Sequence, residues 1–203
     1  MSRSEGYVLA FDTSAAHCAA ALLRGAEVLA ECREDMAKGQ AERLMPLLEE
    51  VLRAAGLGWS DLSAIGVGIG PGNFTGVRIA VSAARGLALA LGIPAIGVST
   101  LEALAEGGPR PLTVLEDARR GEAYCQHFPE GAPELRTLAD LPVTGPEIGS
   151  AARGGLAPAL PLATAIGRIA ARRADLPQPR PAPLYLRGAD AAPPSDPPPV
   201  ILD

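Results

Sequence analysis

The sequence predicts an α/β protein built around a mixed β-sheet, and three observations support this prediction. Short apolar runs of strand length come first along the chain, and runs with helical periodicity follow them. Glycine and proline mark the ends of most of these runs. Apolar residues make up 48% of the 203 residues and charged residues 20%, which is the composition of a folded globular protein.

Three strands are predicted near the N-terminus. Tyr7 to Phe11 is an apolar run that ends at Asp12, and a second run covers His17 to Leu23. A turn at positions 24–27 leads into a third run, Val28 to Cys32. Tight connections between successive strands predict an antiparallel meander.

A first helix is predicted from Gln40 to Ala55, with Gly56 at its C-cap. On a helical wheel its apolar side chains fill an arc about 180° wide, which exceeds the roughly 100° stripe of one-sided packing. This apolar set comprises Leu44, Met45, Leu47, Leu48, Val51, Leu52, Ala54 and Ala55. The surplus width suggests a second contact surface.

A buried strand from Ala64 to Ile69 precedes a glycine-rich loop and a second helix from about Thr75 to Leu91. The polar positions of this helix, Arg78, Ser82 and Arg85, occupy an arc of only about 60°. We expect one face to pack on the sheet and the other to contact the first helix or another protein. Burial in the core alone is the alternative.

The later elements are weaker, and they divide the chain. They are a strand at Ala95–Val98, a helix at Leu101–Ala105, strands at Leu112–Leu115 and Glu122–Phe128, and a helix at Ala163–Arg173. We predict a first subdomain over residues 1–106, a reduced second subdomain over 107–190 and a proline-rich mobile tail over 191–203. The order of the first elements is the βββαβα unit that actin, hexokinase and the Hsp70 ATPase duplicate, but that order alone does not establish nucleotide binding.

Charge and cysteine content exclude several classes of function. The 18 basic and 23 acidic residues give a net charge of −5, which argues against nucleic-acid binding through a broad basic face. The three cysteines are widely spaced and form no CxxC pair, and the chain has only two histidines, so zinc and redox motifs are lacking. We expect Cys18 and Cys125 to be buried. No signal peptide or membrane-length apolar run is evident, so we expect a soluble, cytoplasmic protein.

The glycine loop between the fourth strand and the second helix is the densest motif, with Gly70, Gly72, Asn73, Thr75 and Gly76 as its candidate residues. Such a loop directs backbone N–H groups and a helix N-terminus at one place, which suits an anion. The loop has no lysine for a Walker motif, and Thr75 stands where the dinucleotide pattern needs glycine. The alternative is a tight turn that lets the helix approach the sheet closely.

The turn Asp12-Thr13-Ser14 follows the first strand directly. In the actin-like superfamily an acidic residue here faces the phosphates and metal of a nucleotide, so these three residues are a candidate vestigial phosphate loop. The alternative is an Asx or Ser/Thr turn that ends a strand. His17 borders the turn and could reach Asp12.

Several stretches resemble the bacterial TsaB (YeaZ) family, most specifically the GPGxFTGxR pattern of Gly70 to Arg78. The others are residues 10–14, 40–46 and 86–90, with later landmarks at 117–124 and 183–187. Family members commonly carry His where Gln40 stands and Ser where Asn73 stands. The resemblance implies an actin/Hsp70-like (ASKHA) fold with two subdomains of the βββαβα type, of which the second is reduced here.

The resemblance also implies a role in forming threonylcarbamoyl adenosine next to the anticodon of tRNAs that read codons beginning with A. This chain would be a non-catalytic scaffold that binds and activates a TsaD-type transferase, with a TsaE-like ATPase in the complex, and would contact tRNA only indirectly. It would form a homodimer when alone. The transferase holds its metal with a histidine pair on a helix, and the helix that begins at Gln40 contains no histidine. We therefore expect no catalytic residue, no metal and no cofactor on this chain alone, with ATP a candidate ligand at the interface of the complex.

The two helices supply the predicted partner surface. Its residues are Leu44, Leu47, Leu48, Val51, Ile79, Ser82, Arg85 and Leu89. Two enzymatic readings compete with the scaffold. One is an actin-like ATPase or phosphotransferase with Asp12 at its metal, but the sequence has no convincing second phosphate loop. The other is a metallopeptidase, for which the sequence has too few metal ligands.

Overall fold

The computed structural model describes residues 6–142 and 145–187, and these residues form two β-sheets and four α-helices. The strands of the first sheet are β1 (Tyr7–Asp12), β2 (His17–Arg24), β3 (Glu27–Asp35), β4 (Leu62–Gly68) and β5 (Ala95–Val98). Those of the second sheet are β6 (Leu112–Asp117), β7 (Glu122–Phe128), β8 (Glu134–Thr137) and β9 (Glu147–Ile148). The helices are α1 (Gln40–Ala54), α2 (Phe74–Leu91), α3 (Thr100–Ala105) and α4 (Leu162–Arg173).

The first sheet has the strand order β3-β2-β1-β4-β5. Strands β1, β2 and β3 pair antiparallel, which confirms the predicted meander, while β4 pairs parallel with both β1 and β5. Consecutive side chains of a strand point to opposite faces of the sheet. In β1, Leu9 and Phe11 therefore face α1 and α2, and Val8 and Ala10 face α4. The sheet is covered on both faces.

Helix α1 packs its apolar side chains against the first sheet. Leu44, Leu47, Leu48 and Val51 are at most 3% exposed and belong to one cluster with residues of β1 and β2. The prediction that these four residues line a partner surface is wrong, because side chains buried to this extent cannot contact a partner. The wide apolar arc covers the sheet, and α2 lies beside α1 on the same face.

Helix α2 begins after Asn73, whose side chain accepts a hydrogen bond from the Gly76 N–H at 2.9 Å, and ends at Gly92 in the left-handed conformation. By length and composition alone, its 18 residues with a mean hydropathy of 1.4 could cross a membrane. One face, with Val77, Ala80 and Ala84 among its buried residues, packs on the first sheet as in the core helix of an α/β protein.

The second sheet has the order β8-β7-β6-β9, and α3 packs between it and the first sheet. The sequence did not predict β8 and β9, because β8 is a short, largely exposed strand and β9 has two residues. Helix α4 lies on the first sheet although it follows the second in the chain. The subdomain limits at 106 and 190 stay predictions, and the tail at 191–203 lies outside the described residues.

Candidate functional site

The carboxylate of Asp12 is the centre of a buried polar network at the end of β1. Its Oδ1 accepts hydrogen bonds from the Ser14 N–H at 2.9 Å and the Ser14 hydroxyl at 2.8 Å. Nε2 of His17 lies 2.8 Å from the same oxygen, which confirms that His17 reaches Asp12. Asp12 and Thr13 are fully buried and Ser14 is 3% exposed. The predicted Asx-type turn is therefore present, and it lies inside the protein.

The glycine loop closes directly over this turn. The Thr13 hydroxyl donates a hydrogen bond to the Gly76 carbonyl at 2.7 Å, and the Asn73 N–H donates to the Ser14 carbonyl at 2.6 Å. Asn73 also caps α2 through its side chain. Two N–H groups that could face an anion at this helix N-terminus, those of Asn73 and Gly76, are thus bonded to the protein itself.

The glycines of this loop have no side chain, which allows the main chain of the Asp12 turn to lie close against the loop. A Cβ on Gly76 would lie 1.9 Å from the Thr13 carbonyl oxygen, and one on Gly72 would lie 2.5 Å from the Ser14 carbonyl oxygen. The tight-turn alternative therefore describes these two glycines, while Gly70 has a positive φ of 86°. Thr75 is exposed on the first turn of α2.

Residues 181–187, here called the C-terminal strap, join this loop to the second sheet. The Leu184 N–H donates a hydrogen bond to the Ile69 carbonyl at 2.8 Å. At the other end, Nη2 of Arg187 donates to the Ala118 carbonyl at 2.9 Å and to the Glu122 carboxylate at 2.7 Å. The hydrogen bond to Glu122 raises the pKa of Arg187. The strap thus connects the Asp12 region with the β6–β7 turn.

An exposed cluster of two aromatic rings and one arginine lies at the N-terminus of α2. The Phe74 and Tyr185 rings stack with centroids 5.4 Å apart, and the Arg78 guanidinium lies 3.8 Å from the Phe74 centroid. Phe74 is 54% exposed and Tyr185 49%. Sequence reasoning did not single out either ring, although both lie in family-like segments. Aromatic and arginine side chains of this kind are common at protein interfaces.

The outer side of α2 carries four exposed residues at helical spacing, which we call the α2 ridge: Arg78, Ser82, Arg85 and Leu89. Leu89 is 85% exposed, and Ile79 beside the ridge is half-buried. Helix α2 contains two arginines and no acidic residue. Of the eight predicted interface residues, the structure brings Ile79, Ser82, Arg85 and Leu89 together on this accessible side.

The charged side of α1 is organised around Arg43. Its guanidinium donates hydrogen bonds to the carboxylate of Glu34 in β3 and to that of Glu50, seven residues further along α1. The distances lie between 2.5 and 2.8 Å. These hydrogen bonds lower the pKa of both glutamates. With Glu42 and Glu49 also exposed, α1 presents an acidic outer side.

The cysteines match the expectation of burial. Cys18 is fully buried and Cys125 is 5% exposed. Burial raises the pKa of the Cys18 thiol to about 11 and also raises that of Cys125, which keeps both in the protonated, weakly nucleophilic form. Within the described part of the chain, no three His, Cys, Asp or Glu side chains are placed to hold a metal ion.

Comparison with known protein families gives one family match. The family model described as TsaD, tRNA N6-adenosine threonylcarbamoyltransferase, matches residues 33–142. The Escherichia coli tRNA threonylcarbamoyladenosine biosynthesis protein TsaB is 38% identical over 126 residues, covering 60% of this chain and 54% of the relative. An uncharacterized Mycobacterium tuberculosis protein is 36% identical over 208 residues, covering 92% and 94%. The chain thus spans about half the length of the TsaB relatives that it matches.

Solved structures resemble most of the fold. YeaZ from Pseudomonas aeruginosa superposes with a TM-score of 0.63 at 34% identity, covering 71% of this chain and 75% of that one. A crystal structure of an uncharacterized protein, described as similar to the peptidase YeaZ from Pseudomonas aeruginosa, gives a TM-score of 0.73 at 28% identity, covering 90% and 100%. With the strand order of the first sheet, these matches confirm the predicted actin/Hsp70-like fold class.

Proposed function

The chain belongs to the TsaB (YeaZ) family, and from that premise we propose that it is a non-catalytic subunit for the biosynthesis of threonylcarbamoyladenosine in tRNA. In this proposal it binds and activates a TsaD-type transferase in the cytoplasm, with a TsaE-like ATPase in the assembly. It contacts tRNA only through its partners. Alone it forms a homodimer through the surface that the transferase otherwise covers.

The observation that carries the scaffold proposal is the burial of Asp12 beneath the glycine loop. An ATPase or phosphotransferase of the actin-like class needs an acidic side chain and backbone N–H groups that reach the phosphates and their metal. Here Asp12 is fully buried, and the Asn73 and Gly76 N–H groups are bonded to the protein itself. This arrangement supports a structural role for the turn, with any ATP at the interface of the complex.

The α2 ridge is the proposed partner surface. Leu89 is an exposed apolar anchor at its C-terminal end, and Arg78 and Arg85 lie on either side of Ser82. Solvating a large apolar side chain is unfavourable by about 25 cal/mol per Å² of apolar area, so a partner that covers Leu89 gains free energy. Such a partner presents an apolar groove for Leu89 and acceptor groups for the arginines.

The test is a pull-down of the cognate TsaD-type paralogue with Leu89→Asp and with Leu176→Asp as the matched control. Leu176 is another exposed leucine, 56% accessible, and it follows α4, which packs on the face of the first sheet opposite α2. We expect Leu89→Asp to lose the homodimer and the heterodimer, and Leu176→Asp to retain both. Retention of both complexes by Leu89→Asp, with an unchanged circular dichroism spectrum, would place the partner surface elsewhere.

A further inference from the structure

The two arginines of the α2 ridge have no carboxylate partner among the described residues. Nε of Arg78 donates to the Tyr185 hydroxyl at 2.7 Å, and the guanidinium lies over the Phe74 ring. Arg85 is exposed, and within the described part of the chain its side chain forms no hydrogen bond and no ion pair. Arginines elsewhere are better satisfied, as Arg43 is by two glutamates.

Helix α2 supplies no negative charge to balance these arginines. None of its 18 residues is acidic. The loop that precedes it, residues 69–73, and the strap that packs on its first turns, residues 181–187, contain no acidic residue either. The ridge and these two segments therefore contribute positive charge only, although the net charge of the chain is −5. Both guanidiniums are accessible to a partner.

A partner that covers Leu89 also covers both arginines. Arg85 lies one helical turn before Leu89, and Arg78 lies eleven residues before it, which is about 16 Å along the helix axis. A stable interface buries about 800 Å² on each partner, so it is roughly 30 Å wide and spans the whole ridge. Each guanidinium that loses its water there needs an acceptor on the partner, because burying an unpaired charge is unfavourable.

A homodimer through the ridge does not supply these acceptors from α2. A two-fold interface brings the same surface of both copies together, so Arg78 and Arg85 of one copy meet those of the other. Neither copy of α2 offers a carboxylate, and like charges in one interface are unfavourable. The exposed Glu42 and Glu49 on α1 of the second copy are the competing source of carboxylates.

We propose that Arg85 and Arg78 select the heterodimer over the homodimer, because the transferase surface that covers the α2 ridge is acidic and places carboxylates opposite both arginines. Carboxylates form strong, charge-assisted hydrogen bonds with guanidinium groups, and these bonds are available only in the heterodimer. Leu89 stabilises both complexes, whereas the arginines stabilise one and oppose the other. This inference rests on the proposed function, from which it takes the two complexes.

The experiment measures two dissociation constants of the full chain by sedimentation, one for the homodimer and one for the heterodimer with the cognate TsaD-type transferase. Arg85→Gln is the informative variant, because the Arg85 side chain has no partner within the described protein and its loss leaves the fold intact. We expect Arg85→Gln to weaken the heterodimer about fivefold or more through the lost charge-assisted hydrogen bonds. The same change should tighten the homodimer about threefold or more by removing repulsion.

Arg136→Gln is the matched control, since it makes the same change of charge at an exposed position in β8 of the second sheet. We expect it to leave both dissociation constants as in the parent. Weakening of both complexes by Arg85→Gln would overturn the proposal, because carboxylates of the second copy would then bind the arginine. An unchanged heterodimer, or an equal effect of Arg136→Gln, would also overturn it and leave the proposed function standing. Absence of a heterodimer in the parent would reject both.

Discussion

Arg78 and Tyr185 are 107 positions apart in the chain, yet Nε of the arginine donates a hydrogen bond to the tyrosine hydroxyl at 2.7 Å. This bond fastens the C-terminal strap to the first turns of α2. The Phe74 ring, stacked on Tyr185 and covered by Arg78, adds apolar contact to it. Three side chains thus link the beginning of α2 to a segment that also contacts the second sheet.

Two substitutions of Tyr185 should therefore differ in stability. Tyr185→Phe removes the exposed hydrogen bond and keeps the stacking, so we expect a loss of less than about 1 kcal/mol in the free energy of unfolding. Tyr185→Ala also removes the aromatic and cation–π contacts, and we expect a further loss of about 1–2 kcal/mol. Urea unfolding of both variants measures the difference. Equal losses would mean that the ring contacts do not stabilise the strap.

Gly76 and Gly86 lie on the same helix and form a matched pair for substitution by alanine. At Gly76 the new Cβ would lie 1.9 Å from the Thr13 carbonyl oxygen, whereas at Gly86 nothing lies within 4 Å. We expect Gly76→Ala to cost at least about 2 kcal/mol, because backbone must shift. Gly86→Ala should stabilise the protein by up to about 1 kcal/mol through helix propensity. Thermal and urea unfolding report both, and a neutral Gly76→Ala would contradict the close packing.

Val51 and Leu89 were both predicted at the interface, but the structure places Val51 in the core and Leu89 on the surface. Val51 is 3% exposed and Leu89 is 85% exposed. Val51→Glu would bury an unpaired carboxylate at a cost of several kcal/mol, so we expect an unfolded or severely destabilised protein. Leu89→Glu should stay folded, with a change within about 0.5 kcal/mol. Circular dichroism and sedimentation distinguish the two, and a stable Val51→Glu monomer would show that α1 does not pack as described.

The ion pair of Glu147 and Arg153 should make stability depend on pH. Glu147 has a side chain 4% exposed, and the hydrogen bond from Arg153 lowers its pKa. A carboxyl with a lower pKa in the folded protein adds stability above its unfolded value of about 4.3, and this contribution is lost as the pH falls through the folded pKa. Glu147→Gln should thus cost about 1–3 kcal/mol at pH 7 and progressively less below pH ~4. Urea unfolding across that pH range provides the check, with the exposed Glu134→Gln as control. A loss in the free energy of unfolding that does not change with pH would exclude this linkage.

Nucleotide binding offers a direct test of the Asp12 turn. We expect isothermal titration of the isolated chain with ATP and magnesium to give no binding, because the turn and two N–H groups of the loop are engaged within the protein. Asp12→Asn preserves the shape of the side chain, and we expect it to support tRNA modification nearly as the parent does. Loss of modification with the fold and the complex intact would make Asp12 catalytic and favour the enzymatic alternative.

Local patterns predicted the strands and helices of the first sheet to within a few residues, because apolar periodicity and glycine ends determine them. They did not reveal which way the apolar arc of α1 points. A helical wheel measures the width of an arc but not its direction, and only the packing on β1 and β2 shows that Leu47 and Val51 face inward. The two alternatives for the glycine loop likewise needed the position of Ser14, which lies 59 residues before Asn73 and accepts its N–H. The strap contacts join residues that are even further apart in the sequence.

The closure of the glycine loop over Asp12 limits what redesign or evolution can do at this position. Main-chain atoms fill the space beside the loop glycines, because the Thr13 and Ser14 carbonyls lie against Gly76 and Gly72. Side-chain replacement leaves those atoms where they are. A designer who wants a phosphate to reach Asp12 must therefore lengthen or re-route the loop, which takes an insertion rather than a point mutation.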